Sequence, residues 1–257
     1  MDDADGADAA PASGVTGDAP EPSPPRRGDP TDPTALEALH AFGTSRVVVA
    51  TTASSTYAHT EAYTARGVLT LVTHEPVGDA VPAAIVACGG ALGGVHGPGH
   101  ALYHELGERW ASRGVRVVRV GYREPNELDQ CAHDVACGVE LARDAGAERV
   151  VVMGHSFGGA VAVRVAVVMP VSVAGVVTFA TQSAGCEVAG SLFGRPLLLF
   201  HGDRDELLPP ESSHLVAAIA GHGEVVMLPG DGHLLGRSDA AITERLDEWL
   251  PPVLGLA

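Results

Sequence analysis

The segment that most constrains the fold of this chain is residues 150–160, VVVMGHSFGGA. Three valines and a methionine form a short apolar run typical of a buried strand, and a long apolar segment follows directly. Between the two, Gly154, Ser156 and Gly158 form a Gly-x-Ser-x-Gly pattern. A strand that turns at once into a helix leaves no space for side chains beside the serine, which explains the two glycines. The pattern therefore predicts that Ser156 is exposed at the tip of a sharp turn, beside the positive end of a helix dipole.

Length, charge and cysteine content set the broad class of the protein. The 257 residues suffice for one sizeable domain, and a formal net charge of -16 argues against nucleic acid or an anionic membrane surface as a partner. The four cysteines show no C-x-x-C spacing, which favours free thiols in a reducing compartment. The N-terminal stretch lacks the pattern of a secretory signal, and no apolar run has the length of a membrane span. We therefore expect a soluble, cytoplasmic protein.

Residues 1–33 differ in composition from the rest of the chain. They are rich in Asp, Ala, Pro and Gly, and they hold eight acidic residues against Arg26 and Arg27. Such a composition buries too little apolar surface to offset the entropy of ordering the chain. The prediction is a disordered, acidic, Pro/Ala-rich tail over residues 1–33, followed by one domain over residues 34–257.

Within that domain, β-branched runs alternate with amphipathic segments. The runs predict strands at 47–52, 68–73, 83–88, 115–122, 149–153, 173–180, 196–201 and 224–228. Helices are predicted near 102–110, 126–139, 158–169, 210–220 and 238–250. Regular alternation from residue 83 onwards predicts an α/β fold, with a mostly parallel eight-stranded sheet covered by helices on both faces. The first two strands have no helix between them and are expected to form an antiparallel edge.

In a parallel sheet the functional site lies at the carboxyl ends of the strands. Ser156, two aspartates (Asp203 and Asp205) and His233 each follow a predicted strand, in that order along the chain. A serine hydroxyl reacts at neutral pH only if an imidazole takes its proton. The imidazole in turn needs a carboxylate that fixes its tautomer and stabilises its charged form. The order therefore indicates a nucleophile, an orienting acid and a general base.

These motifs resemble the α/β-hydrolase superfamily, and in particular its compact dienelactone-hydrolase-like members. The resemblance is carried by GHSFGG at 154–159, HGDRDELLP at 201–209 and GDGH at 230–233, and it extends over about residues 46–250. It implies an α/β-hydrolase fold and, because residues 181–195 are too few for an inserted lid, no cap domain. By the family's pattern of strand, His-Gly, two residues and acid, Asp205 matches the catalytic acid and Asp203 is the competitor. Members with true dienelactone activity use a cysteine nucleophile, whereas this chain has Ser156.

The resemblance also implies an oxyanion hole of two backbone N–H groups. One belongs to Phe157, which follows the nucleophile, and the other to the glycine-rich turn after the strand 83–88, where Gly90 is favoured over Ala91. Ala91, Leu92 and His96 follow the same turn and are predicted to contact substrate. Thr181 and Gln182 follow the strand 173–180 and are predicted to do the same.

Two sequence patterns bear on whether the protein binds a metal or a nucleotide. His96, His100 and His104 recur every four residues, but Gly97-Pro98-Gly99 interrupts the helix that a shared zinc site would need. A pocket-lining role for His96, His100 or Tyr103 is favoured instead. The glycines at 89–94 lack both G-x-G-x-x-G and a Walker lysine. The sequence thus implies no metal and no organic cofactor.

The sequence therefore predicts a serine hydrolase that cleaves a small carboxylic ester or thioester through an acyl-enzyme on a Ser156–His233–Asp205 triad. Two alternatives use the same fold. One is an acyltransferase or lyase with the same triad, and the other is a non-catalytic protein that keeps the fold as a ligand pocket.

Overall fold

The architecture is built on one mixed nine-stranded sheet. A computed structural model describes residues 44–51, 57–64 and 66–256; the predicted tail and the start of the predicted domain lie outside these residues. The strand order is β1-β2-β3-β5-β4-β6-β7-β8-β9, with β1 to β3 antiparallel and β4 to β9 mutually parallel. The strands are β1 Thr44–Thr51, β2 Tyr57–Thr64, β3 Gly67–His74, β4 Ala83–Cys88, β5 Arg116–Gly121, β6 Arg149–His155, β7 Val173–Phe179, β8 Leu197–Gly202 and β9 Glu224–Leu228.

Within the described residues, five α-helices cover the two faces of the sheet. They are α1 Leu102–Ala111, α2 Leu128–Asp144, α3 Phe157–Val168, α4 Glu211–Ala220 and α5 Asp239–Leu254. Buried side chains of α2, α3 and α4 pack on one face with Val152, Val176 and Leu199 of the central strands. Those of α1 and α5 pack on the other face with Met153, Val177 and Phe200. The predicted fold class, a mostly parallel sheet between two layers of helices without a cap domain, is confirmed.

One strand, β2, was not predicted. Its sequence YAHTEAYT is largely polar and lacks the apolar alternation that marks a half-buried strand. It forms because both of its edges are paired, with Thr51 facing Ala58 on one side and Tyr57 facing His74 on the other. The predicted antiparallel edge therefore has three strands, with β2 between the two that were expected.

Helix α3 is the most deeply placed helix and carries the turn of Ser156. Nine of its twelve residues are buried, and apolar residues or glycine occupy nearly every position around the helix. Valine is a poor helix former in isolation, so the helix depends on packing between the sheet and α2 rather than on propensity. Ser156, which precedes this helix, is therefore held by a largely buried element.

A buried histidine lies beneath α1, away from that turn. His74 at the end of β3 has no exposed surface, and neither ring nitrogen has a hydrogen-bond partner among the described residues. Its ring packs closely against the helix, since a Cβ at Gly107 would lie 2.4 Å from Nε2 of His74. Burial, with smaller contributions from the charges of Arg119 and His104, lowers the pKa of His74 to about 4.

This pKa predicts a loss of stability on mild acidification. Between pH 6.5 and 4 the unfolded chain binds a proton at residue 74 and the folded chain does not, so the free energy of unfolding falls as the pH is lowered. We expect His74→Phe, which keeps the ring shape, to reduce the difference in unfolding free energy between pH 7 and pH 5 by about 1–2 kcal/mol. Urea denaturation at the two pH values measures it. If His74→Phe leaves the difference between the two pH values unchanged, the lowered pKa of His74 is not the source of this pH dependence.

Candidate active site

Ser156 lies between β6 and α3 in a backbone conformation that serine rarely adopts, with φ 56° and ψ -117°. Its N–H donates a hydrogen bond to the carbonyl of Phe179 at 2.8 Å, which ties the turn to β7. Both glycines of the motif are sterically required. A Cβ at Gly154 would lie 1.8 Å from the carbonyl oxygen of Gly158, and one at Gly158 would lie 2.3 Å from that of Gly89. Only glycine fits at these two positions. The close packing of the backbone around them holds Ser156 in its strained conformation.

Ser156, His233 and Asp205 form a continuous hydrogen-bonded chain. The Nε2 atom of His233 lies 2.9 Å from the Ser156 hydroxyl oxygen, and its Nδ1 atom lies 2.8 Å from Oδ2 of Asp205. Because an ionised carboxylate only accepts, Nδ1 carries the proton and Nε2 is left to accept from the hydroxyl. This is the arrangement in which an imidazole can remove the proton of a serine.

The carboxylate of Asp205 is fully buried, but it accepts hydrogen bonds from several N–H groups. Its Oδ1 atom accepts from the backbone N–H groups of Leu207 at 2.9 Å and Leu208 at 2.8 Å. Burial by itself would raise the pKa of Asp205, but the Leu208 N–H, the His233 ring and the Leu207 N–H outweigh it and leave the pKa below its usual value. Asp205 therefore stays ionised beside His233.

The competing aspartate lies elsewhere. Asp203 is exposed, and its Oδ1 atom accepts the backbone N–H of Gly230 at 2.6 Å. This bond joins the loop after β8 to the loop after β9, which carries His233. Asp203 thus braces the two loops and does not reach the His233 ring.

His155, which precedes Ser156 in the chain, contacts the backbone of His233. Its Nε2 atom lies 3.0 Å from the carbonyl oxygen of His233, and the two rings are tilted with centroids 5.0 Å apart. Burial lowers the pKa of His155 to about 4, so the ring is neutral and its Nε2–H donates to that carbonyl. His155 therefore anchors the His233 loop to the turn of Ser156.

The glycine-rich turn after β4 also lies against Ser156. It is closed by a hydrogen bond from the Gly93 N–H to the Gly90 carbonyl at 2.9 Å, and a Cβ at Gly90 would lie 3.5 Å from that of Ser156. Phe157 begins α3, where the first N–H groups have no partner within the helix. The backbone of Gly90 therefore lies against the side chain of Ser156, and the N–H of Phe157 follows Ser156 directly in the chain. Nearby Cys88 is buried, and burial raises the pKa of its thiol to about 12, so it is not a competing nucleophile.

An open cleft of about 470 Å³ leads to the hydroxyl of Ser156. Its described lining has no Asp, Glu, Lys or Arg side chain and contains Gly89, Gly90, Ala91, Leu92, Gly93, Gly94, His96, Gly97, His155, Ser156, Leu207, His233 and Leu234. The three leucines at its mouth project into solvent, with exposed fractions of 97% for Leu92, 68% for Leu207 and 62% for Leu234. We call these three residues the leucine rim. Residues 181–196 hold only the short 3₁₀ helix Glu187–Leu192, so the cleft carries no inserted lid in this segment.

The structure places only some of the predicted contact residues at the cleft. Ala91, Leu92 and His96 line it, whereas Thr181 and Gln182 do not. Thr181 is fully buried under α3, because its hydroxyl occupies the space beside Gly159, where an added Cβ would approach to 2.1 Å. The side-chain amide of Gln182 donates instead to the carbonyl of Ala184 at 2.8 Å.

The histidines after this turn do not converge. His96 borders the cleft, His100 pairs with Asp239 at 2.8 Å, and His104 lies on α1, 3.7 Å from Glu108. Tyr103 is buried and donates its hydroxyl to the Cys88 carbonyl at 3.1 Å, so it supports the turn from below rather than lining the cleft. Neither Tyr103 nor His100 takes the predicted pocket-lining position.

Several residues at the site were not predicted. Leu207 and Leu234 each lie within two positions of a member of the hydrogen-bonded chain, which is the signal that could have identified them. His201 contacts Asp205, and Ser213 contacts His201. The carboxylate of Glu206 accepts the backbone N–H of His233. Their roles depend on loop geometry that spacing alone does not reveal.

These features define the α/β-hydrolase fold with a Ser-His-Asp arrangement at its carboxyl edge, and comparison with known proteins confirms the fold. No family model and no curated protein matches the sequence. Among solved structures, Est1E from Butyrivibrio proteoclasticus is similar with a TM-score of 0.64 and 16% identity over 77% of this chain and 99% of that one. Dienelactone hydrolase from Anabaena variabilis has a TM-score of 0.62 and 14% identity, covering 80% and 95%. XC6422 from Xanthomonas campestris, described as a serine hydrolase without lid, has a TM-score of 0.59 and 19% identity, covering 79% and 99%.

Proposed function

We propose that this protein is a serine hydrolase that cleaves uncharged carboxylic esters or thioesters through an acyl-enzyme. Ser156 attacks the carbonyl carbon while His233 takes its proton, and Asp205 stabilises the imidazolium that forms. The backbone N–H groups of Phe157 and Gly90 hold the oxyanion. His233 then protonates the leaving alcohol or thiol, and water repeats the sequence on the acyl-enzyme.

The observation that carries this proposal is the pair of hydrogen bonds at His233, 2.9 Å to the Ser156 hydroxyl and 2.8 Å to Asp205, at the floor of an open cleft. The strained conformation of Ser156 adds support, because strain that surrounding structure enforces tends to occur at functional sites. The similarity of the fold to XC6422, described as a serine hydrolase, is consistent with the same class.

The lining of the cleft supports the choice of an uncharged substrate. A charged acyl or leaving group would lose water on entering the cleft and would meet no described side chain of opposite permanent charge there. The exposed leucine rim instead offers apolar surface to an alkyl or aryl group, and burial of that surface favours binding. We therefore assign the cleft to esters with an apolar group on the acyl side, the alcohol side or both.

This assignment predicts the dependence of activity on acyl chain length. We expect kcat/KM to rise from p-nitrophenyl acetate to the butyrate and hexanoate esters, and Leu→Ser substitution at the rim to reduce the hexanoate-to-acetate ratio roughly threefold to tenfold. The matched control is Val171→Ser. Val171 is 86% exposed, but it lies before the amino-terminal end of β7, whereas the cleft lies at the carboxyl ends of the strands. Equal ratios in the rim variants and the control would show that the leucines do not contact the acyl group.

The test of the proposed function is labelling by a serine-directed fluorophosphonate, with the modified residue located by peptide mass spectrometry. We expect a single adduct at Ser156 and no adduct in Ser156→Ala. A binding protein that merely kept the fold would label no faster than that variant. Product analysis with an added alcohol separates hydrolysis from acyl transfer, since a transferase would form the new ester in preference to the free acid.

A further inference from the structure

A second histidine contacts the carboxylate of Asp205 from behind. His201 lies in β8, four residues before Asp205, and its side chain is completely buried. Its Nε2 atom is 3.2 Å from Oδ2 of Asp205, the same oxygen that accepts from His233, and 3.2 Å from the carbonyl oxygen of Leu208. Its Nδ1 atom is 2.7 Å from the hydroxyl oxygen of Ser213 on α4.

The surroundings of His201 determine which ring nitrogen carries the proton. Burial lowers the pKa of His201, so the ring is neutral and has one N–H. Two oxygens that can only accept, from Asp205 and Leu208, face Nε2, and a lone pair there would be repelled by both. The proton therefore lies on Nε2, and Nδ1 accepts the hydroxyl proton of Ser213, which is itself buried.

We propose that His201, fixed in this tautomer by Ser213, is a positioning residue that holds the Asp205 carboxylate in the orientation that serves His233. This inference rests on the proposed function, because it assigns a role within the same triad. His201 does not touch substrate. It acts through Asp205: its Nε2–H donates to the Leu208 carbonyl and also faces Oδ2 of Asp205 at 3.2 Å, beside the donors His233, Leu207 and Leu208.

N–H groups face both oxygens of the carboxylate. Leu207 and Leu208 donate to Oδ1 and His233 donates to Oδ2, whereas the Nε2–H of His201, shared with the Leu208 carbonyl, lies 3.2 Å from Oδ2. Rotation of the carboxylate would therefore break charge-assisted hydrogen bonds at both oxygens. The carboxylate of Glu206 also faces the backbone of His233, and its Oε2 atom accepts the His233 N–H at 3.3 Å. The imidazole of His155 lies on the other element packed against His233.

The test compares four variants. His201→Leu removes the donor, whereas His201→Gln can return an amide N–H towards Asp205. Ser213→Ala keeps the ring but removes the hydroxyl that fixes its tautomer. Ser212→Ala makes the same chemical change one residue earlier on α4, at a buried position whose hydroxyl is not the partner of His201 Nδ1.

We expect His201→Leu to lower kcat roughly tenfold and Ser213→Ala severalfold, both with little change in KM. The acidic limb of the pH profile of kcat/KM should move to higher pH in both variants, because Oδ2 then presents more charge to His233. His201→Gln should recover most of kcat, and Ser212→Ala should match the parent protein. A purely structural role would lower the melting temperature and leave the pH profile in place.

The low-field proton resonance of the His233–Asp205 hydrogen bond gives a readout that needs no turnover. We expect it to shift in Ser213→Ala and to stay unchanged in Ser212→Ala. If His201→Leu does not fold, this serine pair carries the test. An unaltered pH profile and an unaltered resonance in Ser213→Ala, in a protein whose activity still depends on Ser156, would overturn the inference alone. Activity that persists in Ser156→Ala would instead overturn the proposed function.

Discussion

Replacing Ser156 with alanine is expected to lower kcat for p-nitrophenyl butyrate by about 10⁴ to 10⁶, and His233→Ala by a similar factor. The two residues act as a unit, since the hydroxyl lies 2.9 Å from the ring nitrogen that would take its proton. The double variant should therefore be about as active as either single one, rather than showing the product of the two losses. Steady-state kinetics on the three purified variants measures this.

The two aspartates provide a matched control for the same experiment. Asp205→Asn is expected to lower kcat by about 10⁴, because an amide that donates to Nδ1 of His233 enforces the wrong tautomer. Asp203→Asn keeps the oxygen that accepts the Gly230 N–H and should retain activity within a fewfold. A large loss at Asp203 with none at Asp205 would reverse the assignment of the orienting acid.

Gly154→Ala is expected to have the largest effect on folding. Its Cβ would lie 1.8 Å from the carbonyl oxygen of Gly158 and 2.2 Å from its carbonyl carbon, and neither atom belongs to a side chain that can rotate away. The start of α3 would have to shift, so we expect a loss of about 3 kcal/mol or more in the free energy of unfolding, above the usual cost of overpacking. Any folded fraction should be inactive, because the same shift displaces Ser156.

The control for that substitution is Gly236→Ala, in the loop that follows His233. There an added Cβ would meet only His100, at 3.9 Å, which is an ordinary contact. We expect its unfolding free energy, measured in urea, to match that of the parent protein within about 0.5 kcal/mol. Comparable stability of the two variants would mean that the turn at Ser156 is less crowded than described.

The order of strands and helices from β4 onwards could be predicted from the sequence because the apolar runs there are long and alternate regularly. The turn at Ser156 was predictable because only glycine fits its two close approaches. Strand β2 was not, since its polar sequence acquires its conformation from pairing on both edges. Propensity contains no information about such pairing.

The outer parts of the site were harder to predict for a related reason. Thr181 follows β7 and Leu207 follows Asp205, yet the first is buried and the second exposed. The side-chain direction of Thr181 is set by the glycine of α3 that lies against it, and no spacing rule contains that contact. His201 and Ser213 are twelve residues apart and meet only because α4 packs on β8. The sequence indicates where the strands end, but it does not indicate which side chains from different elements contact each other there.

The contrast between the buried helix α3 and the solvent-exposed leucine rim has a consequence for the evolution of the proposed hydrolase. Ser156 is fixed by buried elements, whereas Leu92, Leu207 and Leu234 extend from loops and contribute little to the core. Substitutions at these three positions should be nearly free of folding cost. Under the proposed function, directed evolution could therefore change the preferred substrate there without disturbing the elements that hold Ser156.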